Sequence, residues 1–117
     1  MYYVYMVRCS DGSLYTGLAR HLCKRMREHT EQNAACAKYT RSRHVVALDG
    51  LWQTQTRSDA ARLEALLKTL TKPQKLALLE HPQTLAAFFG EKLGTSTYEA
   101  LPHVTLDDCV SGRFEET

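Results

Sequence analysis

Hydrophobic and polar residues at positions 2–18 follow the pattern of a β-hairpin. Residues 2–9 are rich in aromatic and β-branched side chains, which suit a pleated surface, and Asp11-Gly12 supplies the positive φ that a tight turn needs. Residues 14–18 then form the returning strand. Alternation along the first strand places three side chains on one face: Tyr3, Tyr5 and Val7.

The loop length decides whether two tyrosines share a face of this hairpin. A two-residue loop, residues 11–12, pairs Arg8 with Tyr15. Tyr5 and Tyr15 then lie on opposite faces, because a slip of one residue exchanges the faces. A three-residue loop, residues 11–13, puts both phenols on the same face. The sequence leaves both registers open, and core packing is the plainer interpretation of any single tyrosine.

A short basic helix is predicted after the hairpin. Leu22 and Met26, four residues apart, form its buried stripe, and Arg25 and His29 lie beside that stripe with the same spacing. Three other side chains are expected to point outward: Lys24, Arg27 and Glu28. A guanidinium and an imidazole held against a sheet cost free energy unless they meet something anionic.

One more strand and further helices are predicted in the middle of the chain. Residues 45–56 have strand composition. Ser58 is a good N-cap and Asp59 in the first turn suits the helix dipole, so a helix should begin there and stop near Thr71. Pro73 then opens the next helix. We therefore expect an α/β domain with a small three-stranded antiparallel sheet flanked by helices.

Charge divides the chain near residue 80. Residues 1–80 hold 13 Lys and Arg against 7 Asp and Glu, whereas residues 81–117 hold 2 against 6. Between Arg20 and Arg43 there are seven basic and two acidic residues. Such a cluster is the electrostatic footprint of a polyanionic partner. A merely solvated basic face is the competing interpretation.

The acidic segment, residues 81–117, is expected to be an extension packed on or trailing from the same domain. Residues 83–93 can form a helix, and beyond Gly94 the chain is turn-rich and weakly patterned. The extension either caps the core or holds its carboxylates near the basic surface. We expect it to modulate function rather than to catalyse.

Composition excludes several other classes of protein. A chain of 117 residues is one domain. Its cysteines are scattered without a CxxC pair, which indicates reduced thiols rather than a zinc site or a disulfide framework. No leader pattern precedes the first strand and no apolar run approaches the roughly 20 residues that span a bilayer, so the cytoplasm is the expected location.

Two tripeptides and a helix resemble a known nuclease superfamily. Tyr3-Val4-Tyr5 and Tyr15-Thr16-Gly17 look like the two motifs that name the GIY-YIG superfamily, whose first motif is often degenerate, as it is here. Arg25 and His29 sit where that family has its helix arginine and, in many branches, a histidine one turn later. As an ordered set these features are specific, whereas either tripeptide alone is weak.

The resemblance extends to the small, single-domain bacterial branch of the superfamily. Residues 37–41, Ala-Lys-Tyr-Thr-Arg, and Glu64 on a later helix have counterparts there, so the resemblance covers residues 2 to 80. It implies a GIY-YIG-like nuclease domain over residues 1–80. One departure is that many members carry an asparagine after the metal glutamate, whereas the only asparagine here is Asn33.

The resemblance also implies a hydrolytic site with one metal ion. Glu64 looks like the carboxylate that holds the ion, and a lone carboxylate suits Mg²⁺ or Mn²⁺ rather than zinc. Arg25 would neutralise charge developing on the phosphoryl group. A phenol of Tyr5 or Tyr15 would orient or deprotonate the attacking water, and His29 would take or relay its proton. Which tyrosine is the base stays open.

Glu64 has a plainer interpretation as well. It lies at the flank of the apolar stripe of its helix, where an ion pair with Lys68 one turn later would contribute about 0.2–0.5 kcal/mol. Taken alone, the glutamate favours that interpretation.

DNA, single-stranded or partly unpaired, is the expected substrate, and the chain is expected to act as a monomer. The predicted nucleic-acid-binding side chains are Lys24, Arg27, Lys38, Tyr39, Arg41 and Arg43. Tyr39 is either a platform for base stacking or a residue that pins the loop onto the sheet. The predicted function is metal-dependent endonucleolytic cleavage, and the alternative is a non-catalytic nucleic-acid-binding domain that keeps the nuclease fold.

Overall fold

An antiparallel sheet with helices on both faces forms the centre of the protein. The computed structural model describes residues 1–31 and 43–116. Its elements are β1 (Tyr2–Cys9), β2 (Leu14–Ala19), α1 (Leu22–Glu31), β3 (Val45–Thr54), α2 (Arg57–Lys68), α3 (Lys72–Glu80), α4 (Leu85–Phe89), a 3₁₀ turn (Gly90–Leu93), β4 (Glu99–Ala100) and α5 (Leu106–Val110). The α/β class predicted from the sequence is confirmed.

Within the described ranges the sheet has four strands, in the order β2-β1-β3-β4, where the sequence predicts three. β4 adds to the sheet by pairing Ala100 with Trp52 and Glu99 with Gln53 of β3. A strand of two residues has no alternation to detect, because it exists only through pairing with a distant neighbour. β3 ends at Thr54 rather than at the predicted position 56.

β1 is buried on both faces of the sheet. Tyr3, Tyr5 and Val7 pack on the side of α1, as the alternation predicts. Val4 and Met6 pack on the opposite side with α2 and α4. The strand is therefore the core of the domain, and the side chains that it directs toward α1 are fixed by packing on every side.

The hairpin has a three-residue loop, residues 10–12, closed by a hydrogen bond of 2.9 Å from the Cys9 amide to the Ser13 carbonyl. Gly12 has a φ of +84°, which the turn requires. Val7 pairs with Tyr15 across the strands. The predicted three-residue loop covered residues 11–13, and the observed register is shifted by two residues from it. Because a shift of two residues leaves every side chain on the same face, Tyr5 and Tyr15 share a face.

Two helix boundaries differ from the predicted ones. The N-cap of α2 is Thr56 rather than Ser58, because Thr56 has the extended backbone of a cap and its hydroxyl accepts a hydrogen bond from the Asp59 amide. The predicted helix over residues 83–93 is divided at Gly90, whose φ is +52°. A short 3₁₀ turn completes the segment.

The described part of the extension packs on both faces of the domain. On one side, the Trp52 indole donates a hydrogen bond of 2.8 Å to the Pro82 carbonyl. On the other, Val104 and Cys109 join the core beside α1, and the Phe114 ring meets the Tyr3 ring edge-on at 6.0 Å. None of the helices in the described ranges is long and apolar enough to cross a membrane.

Candidate active site

A buried hydrogen bond joins β1 to α1. The hydroxyl of Tyr5 lies 2.9 Å from Nε2 of His29, and the two side chains are 1% and 0% exposed. The pair forms because alternation turns Tyr5 toward α1, while His29 lies one turn beyond Arg25 on the face that α1 buries. Two polar groups that would be costly to bury alone therefore satisfy each other.

Gly17 makes room for this pair. It lies directly opposite Tyr5 in the hairpin, and the phenol crosses β2 at this point. A Cβ atom at position 17 would lie 2.5 Å from the Tyr5 hydroxyl oxygen and 2.7 Å from the ring carbon that carries it. The packing of Tyr5 therefore explains why the second motif has a glycine at this position, since any side chain there would displace the phenol.

Burial makes both partners of the hydrogen bond neutral. It raises the pKa of Tyr5 to about 12, although a hydrogen bond and the positive charge from Arg25 act in the opposite direction. Burial, together with the charge of Arg25, lowers the pKa of His29 to about 4. At neutral pH the His29 imidazole is therefore uncharged, because it is buried away from water.

Arg25 is held by two groups, one of which the sequence interpretation missed. Its guanidinium lies close enough to Tyr5 to lower the pKa of the phenol, and it forms an ion pair of 2.9 Å with Glu28. Glu28 was expected to point outward, yet its side chain is only 20% exposed. The spacing of three residues on a helix is the signal that indicates this pair. Glu28 therefore orients the cation toward Tyr5.

Tyr15 lies beside the buried pair and is partly exposed. Its ring lies 5.8 Å from the His29 ring and 6.5 Å from the Tyr5 ring. Two tyrosines and a histidine thus form one aromatic cluster, with Tyr15 at the solvent side. Of the two phenols, Tyr15 is the one that water or a substrate can reach.

Glu64 lies on α2, which contacts both β1 and β2. Its charge is close enough to act on the pKa of Tyr5. It also forms the expected helix pair, with 3.7 Å between its carboxylate and Nζ of Lys68. The side chain is 23% exposed, so one carboxylate oxygen can serve Lys68 while the group stays accessible.

The donor set fits only certain metal ions. Among the described residues no group of three or more His, Cys, Asp or Glu side chains could enclose an ion. A single partly exposed carboxylate is suited to Mg²⁺ or Mn²⁺, which keep several waters and take further ligands from a phosphate. Gln74, on the helix after Glu64, accepts a hydrogen bond from the Thr71 amide in a capping box.

The remaining predicted side chains fall into three groups: buried residues, basic residues in the described ranges, and residues outside those ranges. Tyr3, Val4 and Thr16 are buried in the core, and the Thr16 hydroxyl has no hydrogen-bond partner among the described residues. Lys24 and Arg27 are exposed on α1, and Arg43 pairs with Asp11 at 3.2 Å. The predicted contacts of Lys38, Tyr39 and Arg41 lie outside the described residues.

Comparison with known proteins identifies the domain. The GIY-YIG catalytic domain family matches residues 1–77. The chain belongs to this family. The matched segment holds every described member of the cluster, including Tyr5, Tyr15, Arg25 and Glu64. The GIY-YIG family is a nuclease superfamily whose members generally use divalent metal ions, so the domain implies a nucleic-acid substrate.

Small relatives of the chain share this GIY-YIG domain. A UPF0213 protein of Fusobacterium nucleatum is 41% identical over 83 residues, which are 71% of this chain and 81% of that protein. A UPF0213 protein of Staphylococcus saprophyticus is 41% identical over 78 residues, which are 67% of this chain and 93% of that protein. The solution structure of a UPF0213 protein from Bacillus halodurans is 28% identical with a TM-score of 0.45, and covers 83% of this chain and 100% of that one.

Proposed function

We propose that this protein is a metal-dependent DNA endonuclease that hydrolyses phosphodiester bonds in single-stranded or partly unpaired DNA. The observation that carries the proposal is the grouping of three side chains around Tyr5. His29 is hydrogen-bonded to the buried hydroxyl, and the charges of Arg25 and Glu64 both act on its pKa. Pure binding needs neither a carboxylate in a basic surface nor a neutral histidine beneath it.

Glu64 is the proposed ligand of one Mg²⁺ or Mn²⁺ ion. When bound, such an ion polarises the scissile phosphate and stabilises the leaving oxygen. The rest of the coordination would come from water and the substrate, because the described residues contain no group of three or more His, Cys, Asp or Glu side chains that could enclose an ion. Lys68, at 3.7 Å, pairs with that carboxylate and orients it in the absence of substrate.

Arg25 is proposed to neutralise the charge that develops on the phosphoryl oxygens. Its side chain is 26% exposed, so part of the guanidinium faces solvent while the rest is fixed by Glu28 and Tyr5. A cation fixed before the reaction stabilises a transition state without reorganisation. Glu28 and Tyr5 thus act on the reaction by holding Arg25 in place.

Tyr15 is proposed to contact the attacking water. Forming a phenolate at Tyr5 at pH 7 would cost about 7 kcal/mol with a pKa of about 12. Tyr5 is also closed to water, being 1% exposed. Tyr5 therefore stays protonated. Its proposed role, with His29, is to form the buried base of the site, while Tyr15 orients the nucleophile.

The experiment that tests this proposal is a cleavage assay on labelled oligonucleotides. Single-stranded, fully paired and flapped DNA are each incubated with Mg²⁺, with Mn²⁺ and with EDTA. We expect endonucleolytic products with either ion and none with EDTA. Binding without products under all conditions would support the non-catalytic binder instead, and would overturn the proposed activity.

A further inference from the structure

The N-terminus of α1 lacks a cap from its own neighbourhood. The first residues of a helix leave backbone amides without partners, which a nearby Ser, Thr, Asp or Asn commonly satisfies. Here His21 precedes the helix, and its carbonyl accepts the first helical hydrogen bond, from the Arg25 amide. The first turn contains no acidic residue. The helix that carries Arg25 and His29 therefore begins without local support.

A carboxylate from the far end of the chain takes the place of that cap. Oε1 of Glu116 accepts a hydrogen bond of 2.5 Å from the Leu22 amide, and Oε2 accepts one of 3.3 Å from the Cys23 amide. The residues joined by the first bond are 94 positions apart. A negative charge at this end of a helix is also favoured by the helix dipole.

Other contacts of the extension follow the same helix. The Cys23 thiol lies 3.6 Å from the Phe114 carbonyl, and Nε of Arg27 donates a hydrogen bond of 3.3 Å to the Val110 carbonyl. Phe114 in turn packs against Tyr3, two residues before Tyr5 on β1. The tail thus contacts α1 and the central strand together, on the side of the sheet where the site lies.

We propose that Glu116 is a positioning residue that fixes the register of α1, and hence of Arg25 and His29, against Tyr5. Arg25 lies within one turn of the capped amides and His29 follows one turn later. A helix whose first turn is fixed presents these two side chains in one arrangement, whereas a frayed first turn lets the helix shift on the sheet. This inference rests on the proposed nuclease function for its effect on catalysis.

The cap is a feature of this chain beyond the family domain. The matched family domain ends at residue 77. The match to the Staphylococcus saprophyticus relative takes up 93% of that protein but 67% of this chain. Glu116 therefore lies well outside the matched family domain. It belongs to the C-terminal extension, which caps the N-terminus of α1.

The test compares Glu116→Ala with Glu115→Ala in the full chain. Both variants remove one negative charge from the same tail, so nonspecific effects on DNA attraction are equal. We expect Glu116→Ala to lower kcat about five-fold with KM changed less than about two-fold, as loss of a helix cap would. Glu115→Ala should match the wild type. Glu116→Gln keeps one acceptor oxygen and should lie between them.

Hydrogen exchange gives a readout that does not depend on cleavage. The Leu22 and Cys23 amides should exchange faster in Glu116→Ala than in Glu115→Ala, and the pKa of His29 should rise from about 4 toward its ordinary value as the helix loosens. Unchanged exchange, unchanged His29 titration and an unchanged kcat would overturn the positioning role. If the wild type is inert, the proposed nuclease fails, and the exchange and titration still decide whether Glu116 positions α1.

Discussion

The hydroxyl oxygen of Tyr5 occupies the space where a side chain of Gly17 would begin, 2.5 Å from an ideal Cβ atom. The two residues come from the two motif segments and face each other across the hairpin. Tyr5 cannot move aside cheaply, because its hydroxyl is hydrogen-bonded to the buried His29. Glycine is therefore required at position 17 by the position of the Tyr5 phenol, and not by the backbone conformation.

Gly17→Ala should therefore displace Tyr5 and disrupt the site. We expect a loss of stability of about 1–3 kcal/mol from overpacking and a loss of cleavage larger than stability alone explains. Gly50→Ala is the matched control, since a Cβ there meets Leu79 at 2.6 Å on the opposite side of the sheet. Denaturant unfolding and single-turnover cleavage check both variants. Equal activity in the two would contradict the account.

The two site tyrosines should respond differently to removal of the hydroxyl. Tyr15→Phe is expected to lower kcat by about 10²-fold, because it removes the hydroxyl proposed to contact the attacking water, with a smaller loss of stability than Tyr5→Phe. Tyr5→Phe should lower stability by about 1–3 kcal/mol, because it removes the buried hydrogen bond to Nε2 of His29. The reverse pattern, with Tyr5 essential for rate and Tyr15 dispensable, would exclude Tyr15 as the contact of the water.

Stability should fall as the solution becomes more acidic between pH 6.5 and pH 4. The folded protein holds His29 neutral with a pKa of about 4, whereas the unfolded chain binds a proton near 6.5. The unfolded state is therefore favoured as pH drops through this window, by about 3 kcal/mol in total, and stability is fully restored above it.

His29→Gln should lose most of this pH dependence. His103→Gln is its control, because His103 is exposed. Unfolding curves at several pH values measure the slope. A wild-type slope that persists in His29→Gln would place the responsible group elsewhere.

Local pattern was sufficient for most of the nuclease domain. Period-two alternation placed Tyr5 on the face of α1, and spacing of four placed Arg25 and His29 together on that helix. Glu28 was missed because an exposed position was assigned from the apolar stripe alone, while an ion pair with Arg25 draws it inward. Helix periodicity predicted that Glu28 points outward, whereas its ion pair with Arg25 holds the side chain against the helix.

Features made by distant pairing could not be predicted in the same way. β4 exists through its bonds to Trp52 and Gln53, and Glu116 caps α1 from the other end of the chain. Neither has a local sequence signal, since both are properties of the folded chain. The same holds for the largest cause of the low pKa of His29, which is burial by the surrounding elements.

Single-stranded or partly unpaired DNA should be cut faster than blunt duplex. Tyr39 stands among basic residues in the sequence, and an aromatic ring offers stacking worth about 1–3 kcal/mol per base of a single strand. If about four phosphates are neutralised, log K should fall with log salt at a slope near −3. Tyr39→Ala should weaken binding with that slope nearly unchanged. Faster cleavage of blunt duplex would contradict the substrate preference.

The central claim is that Glu64 serves the reaction rather than the helix, and parallel assays of Glu64→Gln and Lys68→Ala test it most directly. Both variants break the 3.7 Å ion pair, but only the first removes the proposed metal ligand. Cleavage, oligonucleotide binding and melting temperature are measured for each. The account predicts that Glu64→Gln stays folded, binds DNA and does not cut, while Lys68→Ala still cuts. Retained cleavage in Glu64→Gln, or the same loss in both variants, would contradict it.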